Sequence, residues 1–547
     1  MNDDAVTTGD RPIRVKARRK RSRRQRWVRR VIVLVLIPVV LFVSSTAYGA
    51  WDDGKAEMTT SGPYLASVNS LRKHSVPAWF DDAKFGISIH WGLFSVPGFA
   101  PKGSYTDILR NDYDHAMTRG PYAEDYWNAM RDPGSPTAAY HKEHYGEMLY
   151  EGFKVIFEDQ LKNGSADRWA ETFRRAGAKY VVMVAKYHDG FSLWPTQVRN
   201  PHKPDWFSRR DLVGELADAT HKRGMKFGIY YSGGVDWTFQ TKTVKTLGDY
   251  TYMDHGSDYA DYADAQVREL ITRYKPDILW NDISWPTGEK RLFAMFADYY
   301  NSVPDGIVND RWQTSSLFKK AMGVKPARAT FDLLMKQVIK SRPDFLDSIK
   351  PPIIPHSDFT TPEYTQYDVT QAKKWETTRG IGNSYGYNRN ETDADYASFG
   401  EKLFPDFIDA VAKNGNLLLN VGPSGGQGTI PPEQLSRLNG FGSWLRTNGG
   451  AVYGSRSYDD PQGETTDGLQ VRTTRKDDSL AVVVVGNPQG RRLTVKGLKL
   501  ADTRGTLLAD GSPVTLTRGE DGDTVLEFAR DLAGIYSPAI AVPLSSP

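Results

Sequence analysis

The sequence predicts an α/β catalytic unit, a (β/α)8-like TIM barrel, followed by a C-terminal antiparallel β-sandwich. Two observations carry this. Between about residues 78 and 450, short apolar runs alternate with segments of helical periodicity, the pattern of a parallel sheet wrapped in helices. From about Ala451 the pattern changes to short alternating runs split by Asp/Gly turns, as in a sandwich of hairpins.

The strands follow in order. FGISIHWG (85–92), YVVMVAKYHDG (180–190), KFGIYYSGG (226–234), PDILWND (276–282) and GIVNDRW (306–312) come first, then GNSYGYN (382–388) and GNLLLNVGP (415–423). An eighth strand is possible near Ser357–Thr361. Helices are expected from Asp167 to Ala176 with an Asp cap, over 211–224, 262–274 and 289–300, and over 399–415 with Gly415 as the stop. Residues 313–350 break the rhythm and read as a partly helical insertion. The chain of 547 residues thus divides into 1–60, a basic tail, apolar segment and linker; 61–450, the barrel with its insertion; and 451–547, the sandwich.

Composition narrows the chemistry. There is no cysteine, which removes disulfides, thiolate metal sites and a Cys nucleophile. Residues 1–30 carry twelve Lys/Arg against three Asp, a net +9; since the whole chain carries +4, the remainder carries −5. The body is mildly acidic, so nucleic-acid binding is not expected. Val31 to Ala50 is free of charge and long enough to span a bilayer, with Pro38 tolerated inside it. The preceding Arg cluster places this end in the cytoplasm and the catalytic part outside, on the cell membrane through a single pass. The alternative is a secretory signal cleaved near Thr46–Ala50 and a secreted protein.

In such a barrel, reactive groups stand at the carboxyl ends of strands. Those ends supply His90 and Trp91; Tyr187, His188 and Asp189; Tyr230, Tyr231 and Ser232; Trp280, Asn281 and Asp282; and Asn309, Asp310, Arg311 and Trp312. Asp282 taken alone could simply cap a turn. Five such ends meeting at one mouth suit a hydroxylated ring, with polar groups for its hydroxyls and aromatic faces for its C–H surface. There is no P-loop, no G-x-G-x-x-G after a strand and no H-E-x-x-H pair. No cofactor and no metal are therefore expected, and two carboxylates on separate elements point to glycoside hydrolysis.

FGISIHWGLFSVP, AKYHDGFSLWPT, KFGIYYSGGVDW, YKPDILWND, VNDRW, WETTRGIGNSYGYNRNE and GNLLLNVGPSGGQGTIP together resemble, in order, the stretches of α-L-fucosidases of glycoside hydrolase family 29. The resemblance runs from about Ala78 to Gly454. It implies a retaining exo-glycosidase that releases terminal α-L-fucosyl residues from glycans in two displacements, with a fucosylated glycan as its partner. It implies Asp282 as nucleophile and Glu363, in HSDFTTPEY, as acid/base, with Arg311 nearby; Glu391 is a competing acid. His90, Glu124, His188, Trp280 and one of Tyr230 or Tyr231 match sugar-contacting positions, and Trp312 offers a further face. Two positions depart from the pattern: Asp125 stands where many members have Trp, and Tyr187 replaces a His found in many members. Both departures bear on substrate contacts rather than on the reaction type. The other functions considered are a carbohydrate-binding protein with the same pocket, a glycosidase for L-galactose, and a metal-dependent hydrolase.

Overall fold

The computed structural model describes residues 62–544, apart from 163, 241, 253–255, 315–316, 343–344, 346–353, 499, 501–502 and 520–521. The expected membrane-spanning or signal segment lies outside the described residues. Among the described residues no helix is long and apolar enough to cross a membrane.

The catalytic unit is built on seven parallel strands: β1 (Phe85–Ile89), β2 (Tyr180–Lys186), β3 (Lys226–Ser232), β4 (Ile278–Asp282), β5 (Ile307–Val308), β6 (Trp375–Gly380) and β7 (Gly415–Val421). Their spatial order is β5-β4-β3-β2-β1-β7-β6, so the sheet is a TIM-like barrel with a gap between β5 and β6. β1, β2 and β7 are buried along their whole length, which explains why they read as unbroken apolar runs.

The regular eighth strand is absent among the described residues. In its place, residues 358–364 run through the gap as irregular backbone. The Asp358 N–H donates to the Val308 carbonyl at 3.0 Å, and the Thr378 N–H donates to the Pro362 carbonyl at 3.1 Å. Isolated parallel bridges join Thr360 to Trp375 and Glu363 to Thr378. Side chains also complete the seam. Asp358 accepts from the Val308 N–H at 2.7 Å and from His74 Nδ1 at 2.8 Å, and the Asn309 amide pairs with both backbone groups of Asn281.

Other expectations are corrected. GNSYGYN is a loop, and the strand is β6, with sequence WETTRG. Its charged residues are buried because each has a partner: Glu376 accepts from the Tyr180 hydroxyl at 2.6 Å, and Arg379 donates to Asp406 at 2.5 Å. A run so polar looks like a loop until those partners are in place. The strand expected over 306–312 pairs only at Ile307–Val308. The helix expected from Asp167 starts at Ser165, with Gly164 at its cap. Gly415 opens β7 rather than stopping a helix; Asn414 makes the left-handed turn with φ 72°. The helix Leu212–His221 starts as expected, with the Asp211 carboxylate accepting from the Gly214 N–H.

The insertion contributes two helices, Leu317–Met322 and Lys325–Ser341. Ile339 of the longer one packs with Leu109, Tyr113 and Ala116. Asp332 accepts from the Tyr113 hydroxyl, the Thr246 hydroxyl and the Gly248 N–H, at 2.8–3.0 Å. The insertion therefore braces two segments that wall the mouth of the barrel.

The C-terminal domain also differs from expectation. Its strands are β8 (Arg456–Thr465), β9 (Gln470–Lys476), β10 (Ser479–Val484), β11 (Arg492–Lys496), β12 (Thr503–Leu507), β13 (Pro513–Arg518), β14 (Thr524–Phe528) and β15 (Ala539–Pro543). They close on themselves in the order β10-β15-β12-β13-β14-β11-β8-β9, a barrel rather than two open sheets. Closure rests on short seams: β11 meets β8 at two residue pairs, and so does β12 with β15. Alternation tells which side chains face inward but not whether the edges meet. This domain docks on the catalytic unit through Arg472, paired with Asp409 at 2.6 Å, and the Ser537 carbonyl, which accepts from the Trp444 indole.

Candidate active site

A cavity of about 320 Å³ opens at the carboxyl ends of the strands. It is lined by Asp282, Glu363, His90, Glu124, Tyr187, His188, Tyr230, Trp280 and Arg311, all expected from the sequence, and by Asp125, Ile283 and Tyr385. Strand alternation decides between the adjacent tyrosines. Tyr230 faces the cavity, whereas Tyr231 points to the helical layer and donates to Gln266 at 3.0 Å. Tyr231 is therefore not a cavity residue. Nor is Trp312, which is buried against Trp285 and Phe296, with ring centroids 5.0 and 5.1 Å away. Glu391 accepts from the backbone N–H groups of Asn383 and Ser384 and does not line the cavity.

One guanidinium joins the two candidate carboxylates. Arg311 Nη1 lies 2.9 Å from Asp282 Oδ1 and 2.6 Å from Glu363 Oε1. The two oxygens can be no farther apart than the sum of those distances. That ceiling bounds one pair of oxygens and is compatible with the about 5–5.5 Å that retaining glycosidases keep between their carboxyl groups. The rest of Arg311 is fixed by Thr361, through its hydroxyl at 3.1 Å and its carbonyl at 2.9 Å. Asp310 in turn holds the Thr361 N–H and hydroxyl. These contacts tie β5's end to the loop that carries Glu363.

Burial pushes the Asp282 carboxyl up, but Arg311, His188 and the Tyr230 hydroxyl more than offset this and hold it below the ordinary carboxylate value. Arg311 is the cation that matters, because burial pushes His188 itself down to about 3 and leaves it neutral near pH 7. The Tyr230 hydroxyl donates to Asp282 Oδ2 at 2.7 Å, and the Ile283 N–H donates to Oδ1 at 2.9 Å. Asp282 is thus kept ionised, as a nucleophile requires. Burial also lowers His90.

Hydrogen-bond partners set both imidazole tautomers. The Asn420 amide oxygen lies 2.6 Å from His90 Nδ1, while the amide nitrogen donates to the Tyr385 carbonyl. The Ser232 hydroxyl donates to the Val235 carbonyl and so accepts from His188 Nδ1 at 2.7 Å. In each ring Nδ1 carries the proton, leaving Nε2 as an acceptor for a hydroxyl.

The turn after Asp282 is strained. Ile283 and Ser284 both have positive φ, at 69° and 125°. For a β-branched residue this costs on the order of 1–3 kcal/mol, and the surroundings must enforce it. Asn281 donates to the Ser284 carbonyl at 2.9 Å, and Lys319 of the insertion donates to the Ser284 hydroxyl at 2.5 Å. Gly233 lies alongside, where a Cβ would come within 2.1 Å of Asn281 Oδ1.

The family model for alpha-L-fucosidase matches residues 54–450, well over half of the sequence. The chain belongs to the alpha-L-fucosidase family. Among solved structures, the alpha-fucosidase of Thermotoga maritima is 37% identical, with a TM-score of 0.71 over 88% of this chain and 100% of the other. The same protein has been solved in complex with fucose. Among curated proteins, an alpha-L-fucosidase of Dictyostelium discoideum is 29% identical, covering 78% of this chain and 79% of its own. A tissue alpha-L-fucosidase of Bos taurus is also 29% identical, covering 79% and 80%.

Sequence reasoning about this fucosidase-family chain missed Asp125 as a cavity residue in its own right. It also missed Tyr385, which sits in a segment read as a strand, and Lys319, which lies 37 positions after Asp282 on a different helix. Only Asp125 carried a signal, as a departure from the family pattern.

Proposed function

We propose that this chain is a retaining exo-α-L-fucosidase in which Asp282 is the nucleophile and Glu363 the acid/base. The observation that carries the reading is the single guanidinium contacting both carboxylates inside one sugar-sized cavity. Asp282 attacks the anomeric carbon as the bond to the aglycone oxygen breaks, and Glu363 gives that oxygen its proton. Glu363, now ionised, takes a proton from water, which attacks the same carbon and returns Asp282 to its carboxylate form. Arg311 keeps Asp282 charged before the first step and faces Glu363 when it has lost its proton. Neutral His90 and His188 accept from ring hydroxyls through Nε2, while Trp280 and Tyr230, stacked at 5.3 Å, provide an aromatic wall.

The test is hydrolysis of an aryl α-L-fucoside by wild type and by Asp282→Ala. Wild type should release the aryl group. The variant should lose nearly all activity and form β-L-fucosyl azide when azide is added. An active Asp282→Ala variant would remove Asp282 from its role. A wild type that binds L-fucose without turnover would favour the carbohydrate-binding reading, and faster cleavage of the aryl L-galactoside the L-galactosidase one.

We also propose, from the basic block ending at Arg30 and the uncharged run Val31–Ala50, that the catalytic unit lies outside the cytoplasm. The N-terminal sequence of the mature protein from its own cells distinguishes a retained anchor from a cleaved signal.

A further inference from the structure

We propose that Asp125 is a specificity residue that hydrogen-bonds one hydroxyl of the sugar ring; this rests on the fucosidase reading above. Three observations converge on it. Asp125 lines the same cavity as Asp282, and its Oδ1 is shielded from solvent with no hydrogen-bond partner among the described residues. A carboxylate oxygen left that way is destabilising until something fills the position.

Its neighbour Glu124 is already engaged. Glu124 accepts from the Ser384 hydroxyl at 2.8 Å, the Tyr385 N–H at 3.1 Å and the Gly386 N–H at 2.9 Å. Those three bonds fasten the 384–386 loop to the cavity wall. Of the two adjacent carboxylates, Asp125 is the one with an oxygen that has no partner among the described residues.

Finally, Tyr187 lines the same cavity, with Asp125 close enough to act on its hydroxyl electrostatically. The Tyr187 ring stacks on His188 at 4.0 Å and stands 5.7 Å from His90, so this wall of the cavity also carries both imidazoles. The two positions at which this sequence departs from its family thus line one cavity. Together they place a carboxyl group where many members carry an indole.

Burial, with Glu124 and Asp282 close by, holds the Asp125 carboxyl well above the usual carboxylate range. A sugar hydroxyl suits it with or without a proton, because a hydroxyl both donates and accepts. A methyl or methylene group suits neither form, so the site selects for the hydroxyl and against its deoxy analogue.

The experiment compares aryl α-L-fucoside with its 2-, 3- and 4-deoxy analogues on wild type, Asp125→Ala and Asp125→Asn. Wild type should discriminate against one analogue by about 100-fold or more in kcat/KM beyond the analogue's intrinsic reactivity. In Asp125→Ala that discrimination should fall to a few-fold, while the penalties for the other two analogues stay as they were. Intrinsic reactivity cancels, since the same substrates meet both proteins. A merely structural role would lower all four rates together. If Asp125→Ala does not fold, Asp125→Asn keeps the shape and should still weaken the same discrimination. Deoxy penalties unchanged in a folded, active variant overturn the proposal while leaving the fucosidase reading intact. A wild type inert on the parent fucoside overturns both.

Discussion

Replacing Arg311 by Met keeps the length of the side chain and removes the charge shared by the two carboxylates. In wild type the guanidinium is the largest of the influences that offset burial at Asp282. Opposite charges about 4 Å apart, at an effective dielectric of about 20, attract by about 4 kcal/mol, equivalent to about 3 pKa units. The Tyr230 hydroxyl and Ile283 N–H still bond Asp282 in the variant, so its pKa should rise, though by less than the loss of the ion pair alone would give. The sign is clear: a folded-state pKa held below 3.8 keeps Asp282 ionised down to that pH, and losing the cation moves protonation upward. The assay is kcat/KM for an aryl α-L-fucoside from pH 3 to 9. Wild type should keep its acid limb below pH 3.8, and in Arg311→Met the limb should move to higher pH, with the larger loss at acid pH. Arg311→Lys should fall between the two, since a point charge cannot replace the fork. An unmoved acid limb in folded Arg311→Met would refute the argument that this cation keeps the nucleophile charged.

Glu363→Ala should lose far more kcat/KM on a fucoside with a poor leaving group than on one with a good leaving group, because only the former needs the proton; equal losses on both would point to another acid. Lys319→Met should lower kcat by about tenfold with a smaller change in KM, as the strained turn beside Asp282 relaxes, and Lys319→Arg should restore most of it; an unchanged kcat would show that Asn281 suffices to hold the turn. Burial pushes His356 down to about 4, so its unfolded form binds a proton that the folded form refuses between pH 6.5 and about 4. Stability to urea should therefore fall as the pH is lowered across that window, by up to about 1.4 kcal/mol per pH unit from this group. His356→Asn should lose that part of the slope, and an identical slope would exclude His356 as its source.

Much of the active site was legible in the sequence because strand ends announce themselves. His90, His188, Tyr230 and Asp282 each follow or end an apolar run, and period-two alternation confines them to one mouth. The sequence alone left Tyr230 and Tyr231 open, since either can face inward until the register with β4 is set, pairing Tyr230 with Trp280. β6 was hidden because Glu376, Thr377, Thr378 and Arg379 are polar and become buried only once Tyr180, Trp280 and Asp406 reach them.

What the sequence determined by itself was the alternation of strands and helices, the switch to short hairpins past residue 451, and the reactive groups at the strand ends. These are local matters, set by side-chain period and turn chemistry within a few residues. Only the tertiary structure decided that the eighth barrel position is irregular backbone, that the last eight strands close into a barrel, and that Asp282, Arg311 and Glu363 meet. Each depends on contacts between residues far apart in the chain, such as Val308 with Asp358 and Lys319 with Ser284. Such contacts form only where separate elements pack against one another, and local pattern carries no record of that distance.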